Sequence, residues 1–138
     1  MNYAAACAAA LALTLSGCQT AGNRASVADA CPPQAQMQQT TLYFGLSLPG
    51  GGEVTPDQWR AFVDGEVTPR FRAGLTVTAA SGQWLGHDGK VVRENSRALM
   101  LIHAPEQSAD IEALRQIYRT RFHQESVMRV DTPACVRF

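Results

Sequence analysis

The chain has 138 residues, with twelve basic residues balanced by twelve acidic ones, and four cysteines. This length is sufficient for one domain and short for two. The balanced charge gives no attraction to nucleic acid, and we expect no nucleic-acid partner.

The first predicted element is an export signal. Residues 4–17 carry no charge, are mostly Ala and Leu, and end in Leu15-Ser16-Gly17 ahead of Cys18. This apolar run has the length of a signal-peptide core and is shorter than the ~20 residues that span a membrane. Leu-Ser-Gly-Cys resembles a bacterial lipobox, although the usual basic residues before the apolar run are missing. The resemblance implies that residues 1–17 are removed and that Cys18 carries lipid; the alternative is an uncleaved anchor or a buried helix.

The lipid on Cys18 is expected to hold the protein on a membrane of the cell envelope. Gln19 follows it, rather than the Asp that resembles an inner-membrane retention signal, so we expect the periplasmic face of the outer membrane. Residues 18–39 are predicted to form a flexible tether, because Gln, Ala, Ser, Asn and Pro predominate there.

Residues 40–138 are predicted to form a single α+β domain. Leu42, Phe44, Leu46 and Leu48 alternate with smaller or polar residues, which indicates a first strand. A helix follows, since Thr55-Pro56-Asp57-Gln58 combines a capping residue, Pro at the first helical position and Gln three residues after the cap. We expect this helix to stop by Thr68-Pro69.

The second half of the domain reads as two strands, a helix and a last strand. A second strand covers 75–84, and Asp88-Gly89 predicts a hairpin turn into a third strand that ends at 102. The third strand is apolar on both faces near its end, as in a central strand. An amphipathic helix covers 111–122, and a final strand covers about 127–130, with 134–138 prolonging it.

The element order predicts a ferredoxin-like split βαβ sandwich, with a four-stranded, mainly antiparallel sheet and both helices on one face. The cysteines agree with this topology. Cys7 is lost with the signal peptide and Cys18 takes lipid, so Cys31 and Cys135 remain as a pair for a disulfide in an oxidising compartment. The first and last strands are neighbours in this fold, which brings Cys31 close to Cys135.

Seven short sequence blocks of the domain resemble the pattern of one protein family. They are Leu42-Tyr43-Phe44-Gly45, Val67-Thr68-Pro69-Arg70-Phe71, Gly74-Leu75-Thr76-Val77, Gly82-Gln83-Trp84, Arg93-Glu94-x-Ser96, Arg121-Phe122-x-Gln124-Glu125-Ser126-Val127 and Arg129-Val130-Asp131. Together they resemble a bacterial lipoprotein family known as domain of unknown function 3574, over about residues 40–138. That family has no assigned activity, so the resemblance implies an architecture and an exported setting and no catalytic roles.

The polar residues of these blocks are the candidates for a ligand site. Gln83 and Trp84 precede the hairpin turn and Arg93 and Glu94 follow it, so the two pairs face each other across antiparallel strands. An aromatic ring, an amide, a guanidinium and a carboxylate can bind a small polar or anionic ligand. Alternatively, Arg93 and Glu94 are paired surface residues and Trp84 covers the core. Arg70 is a further candidate, unless it satisfies the last carbonyls of the first helix.

No motif in the sequence identifies a metal, a cofactor or a nucleophile. His87, His103 and His123 lack partners at ligand spacing, and there is neither a Walker loop nor a nucleophile elbow. We therefore expect no metal and no cofactor, and the catalytic residues, if any, are unknown. Two classes of function stay open. One is a non-catalytic envelope module that binds a second copy of the chain, another envelope protein or a small ligand; the other is a small ferredoxin-like enzyme with a pocket near Trp84 and Arg93.

One face of the predicted sheet has no partner in the predicted fold. Both helices need the same side of the sheet, which leaves Tyr43, Ser47 and the neighbours of Met100 and Ile102 on the other side. A face this apolar is expected to be covered by a dimer partner, a ligand or a loop, and the hairpin that carries Trp84 is one candidate cover.

Overall fold

The structure is a computed structural model and describes residues 31–138; the predicted signal peptide, Cys18 and the tether up to residue 30 lie outside the described residues. Its elements follow the predicted order. They are β1 (Gln36–Gly45), a first helix (Pro56–Phe62, continued as a π-helical segment Val63–Val67 and an α-helical turn Thr68–Arg70), β2 (Thr76–Leu85), β3 (Val91–His103), a second helix (Ser108–Phe122) and β4 (Met128–Cys135), with 3₁₀ turns at Pro33–Ala35 and Pro105–Gln107.

The four strands form one sheet in the order β2-β3-β1-β4. Each neighbouring pair is antiparallel, and β1 and β3 are the central strands. The fold is therefore the predicted ferredoxin-like α+β sandwich. A tight hairpin joins β2 to β3 and lies at one end of the sheet. The two helices make the other two connections, and both pack on the same face of the sheet, named the covered face below.

The ordered domain begins earlier than residue 40. β1 starts at Gln36, which pairs with Cys135, and Gln38 lies between His103 of β3 and Pro133 of β4. A polar composition predicted a tether here, but backbone pairing with strands on both sides holds these glutamines in the sheet. The predicted disulfide is confirmed: Cys31 is bonded to Cys135, with their Cα atoms 5.7 Å apart. Residues 31–39 therefore belong to the domain.

The first helix begins as predicted and ends later than predicted. The Thr55 hydroxyl accepts a hydrogen bond from the Gln58 amide, and the Gln58 side chain accepts one from the Thr55 amide. The helix then widens into a π-helical segment around Gly65 and passes through Pro69. Pro69 lies in the first turn of the following α-helical piece, where its missing N–H costs little.

The core lies between the sheet and the two helices. Phe44 is at its centre, in edge-to-face contact with Phe62 and Tyr118 at centroid distances of 5.4 and 4.6 Å. The fully buried members of the cluster come from β1, both helices, β3 and the segment before β4: Leu42, Phe44, Phe62, Val67, Leu99, Leu101, Ile111, Leu114, Tyr118 and Val127. Both helices therefore cover the same face of the sheet.

Neither of the two described helices packs on the other face of the sheet, named the open face below. Strand alternation directs Tyr43, Ala98, Met100 and Ile102 to it, and each of them is half-buried. β2 and β3 pair without interruption from Thr76 to Leu85, and the hairpin turn reaches the segment ahead of β4, where His87 Nε2 lies 3.8 Å from Glu125 Oε2.

Strand β4 runs without a break from Met128 to Cys135, so it continues past Pro133 as predicted. Pro133 lies within it, opposite Gln38. Proline is tolerated there because β4 is an edge strand, and one side of its backbone needs no partner.

Candidate functional site

A cleft of about 380 Å³ lies at the base of the β2–β3 hairpin. Three of the predicted site residues line it, together with neighbours from the segment after β1, from β2 and from β3: Gln83, Arg93 and Glu94, with Ser47, Glu53, Ser81, Gly82 and Asn95. Gln83 lies directly opposite Arg93, and Glu94 lies opposite Gly82. The antiparallel register therefore brings these residues together, as the sequence predicted.

Glu94 is the most unusual group in the cleft. Its side chain extends over Gly45, where a Cβ atom would come within 2.5 Å of Oε1. The Ser47 amide donates to Oε2 over 3.3 Å. Burial raises the pKa of the Glu94 carboxyl, and the nearby negative charge of Glu53 adds to the rise, while the Ser47 hydrogen bonds oppose it. Gly45 provides the space that lets this carboxylate lie against the sheet.

Tyr118 connects this carboxylate to the core. Its hydroxyl is buried and donates to the Gly45 carbonyl over 2.8 Å, from the covered side of the sheet. Burial raises the pKa of the Tyr118 hydroxyl, and the charge of Glu94 raises it further. Tyr118 is therefore a neutral donor that fixes the backbone under Glu94. No sequence motif predicts that Tyr118 bonds to Gly45, although a glycine inside a strand indicates a close approach of some kind.

Trp84 and Arg70 lie outside the cleft. Trp84 is directly opposite Val92 on the protruding part of the hairpin and is 42% exposed, and it is not part of the core cluster of the described residues. The Arg70 guanidinium donates to the Glu66 carbonyl over 2.7 Å and to its carboxylate over 3.1 Å. These contacts hold Arg70 at the end of its own helix, the alternative role considered for it.

A second polar group, missed by sequence reasoning, joins three strands. The Thr40 hydroxyl donates to Asp131 Oδ1 over 2.6 Å and is 2.7 Å from His103 Nε2. His103 Nδ1 is 2.8 Å from the Ala104 carbonyl. Thr40 and His103 are buried, and the Thr40 hydroxyl and Arg129 lower the pKa of the Asp131 carboxyl. No sequence motif could place residues so far apart in one network.

Residues 31–138 contain neither a cluster of metal-ligating side chains nor a membrane-crossing helix. Among residues 31–138, no three His, Cys, Asp or Glu side chains are grouped so that they could hold a metal ion. In the same range, no helix is both long and apolar enough to cross a membrane. The side chains that line the cleft carry two carboxylates, a guanidinium, amides and hydroxyls.

The sequence blocks and the fold agree with one family model. The family described as "Protein of unknown function (DUF3574)" matches residues 39–138. The chain belongs to this family. No curated protein matches the chain.

Solved structures of low sequence identity share the fold. A phage SAM lyase in complex with S-methyl-5'-thioadenosine is 20% identical, with a TM-score of 0.58 over 72% of this chain and 83% of that chain. A phage SAM lyase in the apo state is 21% identical, with a TM-score of 0.57 over 74% of this chain and 84% of that chain. CutA from Synechococcus elongatus PCC7942 is 12% identical, with a TM-score of 0.50 over 73% and 79%. These likenesses show a ferredoxin-like fold.

Proposed function

We propose that the protein is an exported lipoprotein, tethered through Cys18 to the periplasmic face of the outer membrane, and that it acts as a binding module of the cell envelope. The observation that carries this proposal is the open face of the sheet. On it, Trp84, Met128 and Val130 are 42, 55 and 45% exposed. Exposed large apolar side chains on one face mark an interaction surface.

Charge supports the same proposal. Strand alternation gives the open face Thr, Ala, Met, Ile, Tyr and Trp side chains, with Glu94 as its charged residue among the described strands. The charged residues of β4, Arg129 and Asp131, belong to the covered side, where Arg129 pairs with Glu112. A partner for the open face therefore has a neutral, largely apolar surface with hydroxyl or amide groups.

The proposed tether would present the hairpin away from the membrane. Cys31 is held beside Cys135 at the end of the sheet where β1 begins and β3 ends. The hairpin, with Leu85 opposite Val91, is at the other end. β3 runs through thirteen residues between the two ends, a contour length of roughly 40 Å at the usual rise per residue. Trp84 would thus face partners at some distance from the lipid surface.

Two experiments test the proposal. Metabolic labelling with a palmitate analogue should label the protein at Cys18, in a host where a control lipoprotein is labelled, and Cys18→Ala should remove the label. Crosslinking in envelope fractions should capture a partner with the wild type and fail with Trp84→Ala. Leu85→Ala is the matched control, because Leu85 is 69% exposed on the opposite side of the same strand. Unlabelled protein, or equal capture by both variants, would refute the proposal.

The cleft favours a second candidate function, that of a small enzyme or ligand-binding domain. Glu94 is a half-buried carboxylate with a raised pKa, and Gln83 and Arg93 lie beside it. Such a group can hold an ammonium or guanidinium ligand or exchange a proton with it. Fragments that carry these groups should shift the amide NMR signals of Ser47 and Gly82, and Glu94→Gln should abolish the shifts. The absence of any shift would leave the binding module as the function.

A further inference from the structure

Strand β2 presents an unprotected edge. It is ten residues long, pairs with β3 on one side and has no partner strand among the described residues on the other. Nine of its ten residues are exposed, including Val77 on the face where the helices pack. Half of its backbone N–H and C=O groups therefore point outward with neither face of the strand shielded.

The composition of β2 contains none of the usual devices against edge pairing. Residues 76–85 read Thr-Val-Thr-Ala-Ala-Ser-Gly-Gln-Trp-Leu, with no charge and no proline, and the ladder to β3 has no bulge. Native proteins block exposed edges with Lys, Pro, bulges or short strands, because a long, regular, uncharged edge pairs with other strands. A strand kept this free of charge is suited to pairing.

The opposite edge of the same sheet has these devices. β4 contains Pro133, which cannot donate to a further strand, and the charged residues Arg129 and Asp131. Their side chains are engaged with Glu112 and with Thr40. The two edges of one sheet thus differ, so the lack of protection on β2 is not a general property of this fold.

We propose that β2 pairs antiparallel with β2 of a second copy of this chain, so that two four-stranded sheets form one continuous sheet. This proposal rests on the proposed function, since it names the partner that the module takes at its edge. A two-fold axis perpendicular to the sheet makes the contact isologous and closed. Because β2 carries no charge, no like charges meet across such an axis.

The order of small and large side chains along β2 is compatible with pairing to a second β2 when the two-fold axis passes through Ala80. Ala79 then meets the partner's Ser81, and Thr76 meets the partner's Trp84, so small residues oppose each other at the centre and the large ring lies beside a short side chain. The two residues of each pair lie on the same face of the joined sheet, because in this register even-numbered residues pair with even-numbered ones and odd with odd. The open faces of both copies become one surface with a Trp84 at each end of the junction.

Oligomeric state tests the proposal directly. Full-length exported protein, extracted in mild detergent, is measured by light scattering with the detergent mass subtracted. The wild type should be a dimer. Ala80→Lys, which opposes two ammonium groups at the axis, should raise the dissociation constant at least about tenfold. The matched control, Thr132→Lys, adds the same charge to an exposed position on the β4 edge and should leave the dimer intact. A monomeric or trimeric wild type, or equal effects of both variants, overturns the proposal.

A covalent probe keeps the test valid if Ala80→Lys fails to fold. Ala80→Cys, exported in cells and treated with a short bismaleimide, should give a crosslinked dimer, and Thr132→Cys should not. Equal crosslinking of the two variants, or none with Ala80→Cys, overturns the pairing. Failure of this pairing is distinguishable from failure of the proposed function. A monomer that still captures an envelope partner through Trp84 would refute the edge contact alone. A dimer that captures no envelope partner would refute the proposed binding module.

Discussion

The carboxylate of Glu94 lies over the backbone of Gly45, at a position that a Cβ atom on residue 45 would bring within 2.5 Å of Oε1. Glu94 comes from β3 and Gly45 from the neighbouring end of β1. The charge is thereby held against the sheet, with a single backbone donor, Ser47, beside it. The raised pKa of Glu94 follows from this position.

Gly45→Ala should displace the Glu94 side chain and leave the fold intact. The clash involves the end of a flexible side chain, which can swing into solvent, and Ala is the better strand residue by about 0.5–1 kcal/mol. The free energy of unfolding should therefore change by less than about 1 kcal/mol, while the pKa of Glu94 falls towards its ordinary value. A carboxyl ¹³C titration measures this pKa; an unchanged pKa would show that Gly45 has no part in the shift.

Glu94→Gln should stabilise the protein at neutral pH. A carboxyl whose pKa is raised on folding favours the folded state fully below its unfolded pKa, and this contribution is lost as pH rises through the folded pKa. The neutral amide avoids that loss. We expect a higher Tm for the variant at pH 7 and equal Tm values below about pH 4. A lower Tm at pH 7 would mean that the ionised carboxylate makes a stabilising contact.

The Thr40 network should matter for stability and for resistance to acid. Thr40→Val removes the hydroxyl between Asp131 and the buried His103 and should cost about 1–3 kcal/mol. The lowered pKa of Asp131 contributes stability above its unfolded pKa, which is lost as pH falls through the folded value. Urea unfolding from pH 7 to pH 2 checks both effects. Asp131→Asn should flatten the acid limb, and an unchanged limb would contradict the assignment.

Reduction of the disulfide should destabilise the domain without destroying the sheet. Cys31 and Cys135 are 104 residues apart, and closing a loop of that size is worth about 4–5 kcal/mol on the chain-entropy model. The double variant Cys31→Ser and Cys135→Ser should lose an amount of this order in urea unfolding, with a native-like circular dichroism spectrum at low urea. A loss below about 1 kcal/mol would mean that the unfolded chain gains little freedom without the bond.

Local sequence patterns predicted most of the fold, because the buried residues recur with the period of the strand or helix that carries them. Leu42 and Phe44 alternate into the core, and Ile111 and Leu114 share one helix face, as their spacing indicated. The early start of β1 has no signal in the local pattern, since Gln36 is held by backbone pairing with Cys135 and by a side-chain hydrogen bond to the Cys31 carbonyl. The register across the hairpin predicted that Gln83, Arg93 and Glu94 meet, but the effect of Gly45 and Tyr118 on Glu94 required the three-dimensional packing.

The proposed place of Trp84 on a binding surface, rather than in the core, can be checked by measuring stability and association in a single variant. Trp84→Ala should change the free energy of unfolding by less than about 1 kcal/mol, because the ring is 42% exposed, while capture of the envelope partner is lost. Trp59→Ala is the control, since Trp59 packs against Phe44 and Tyr118. A loss of more than about 3 kcal/mol for Trp84→Ala, as for a core aromatic, with capture unchanged, would contradict the account.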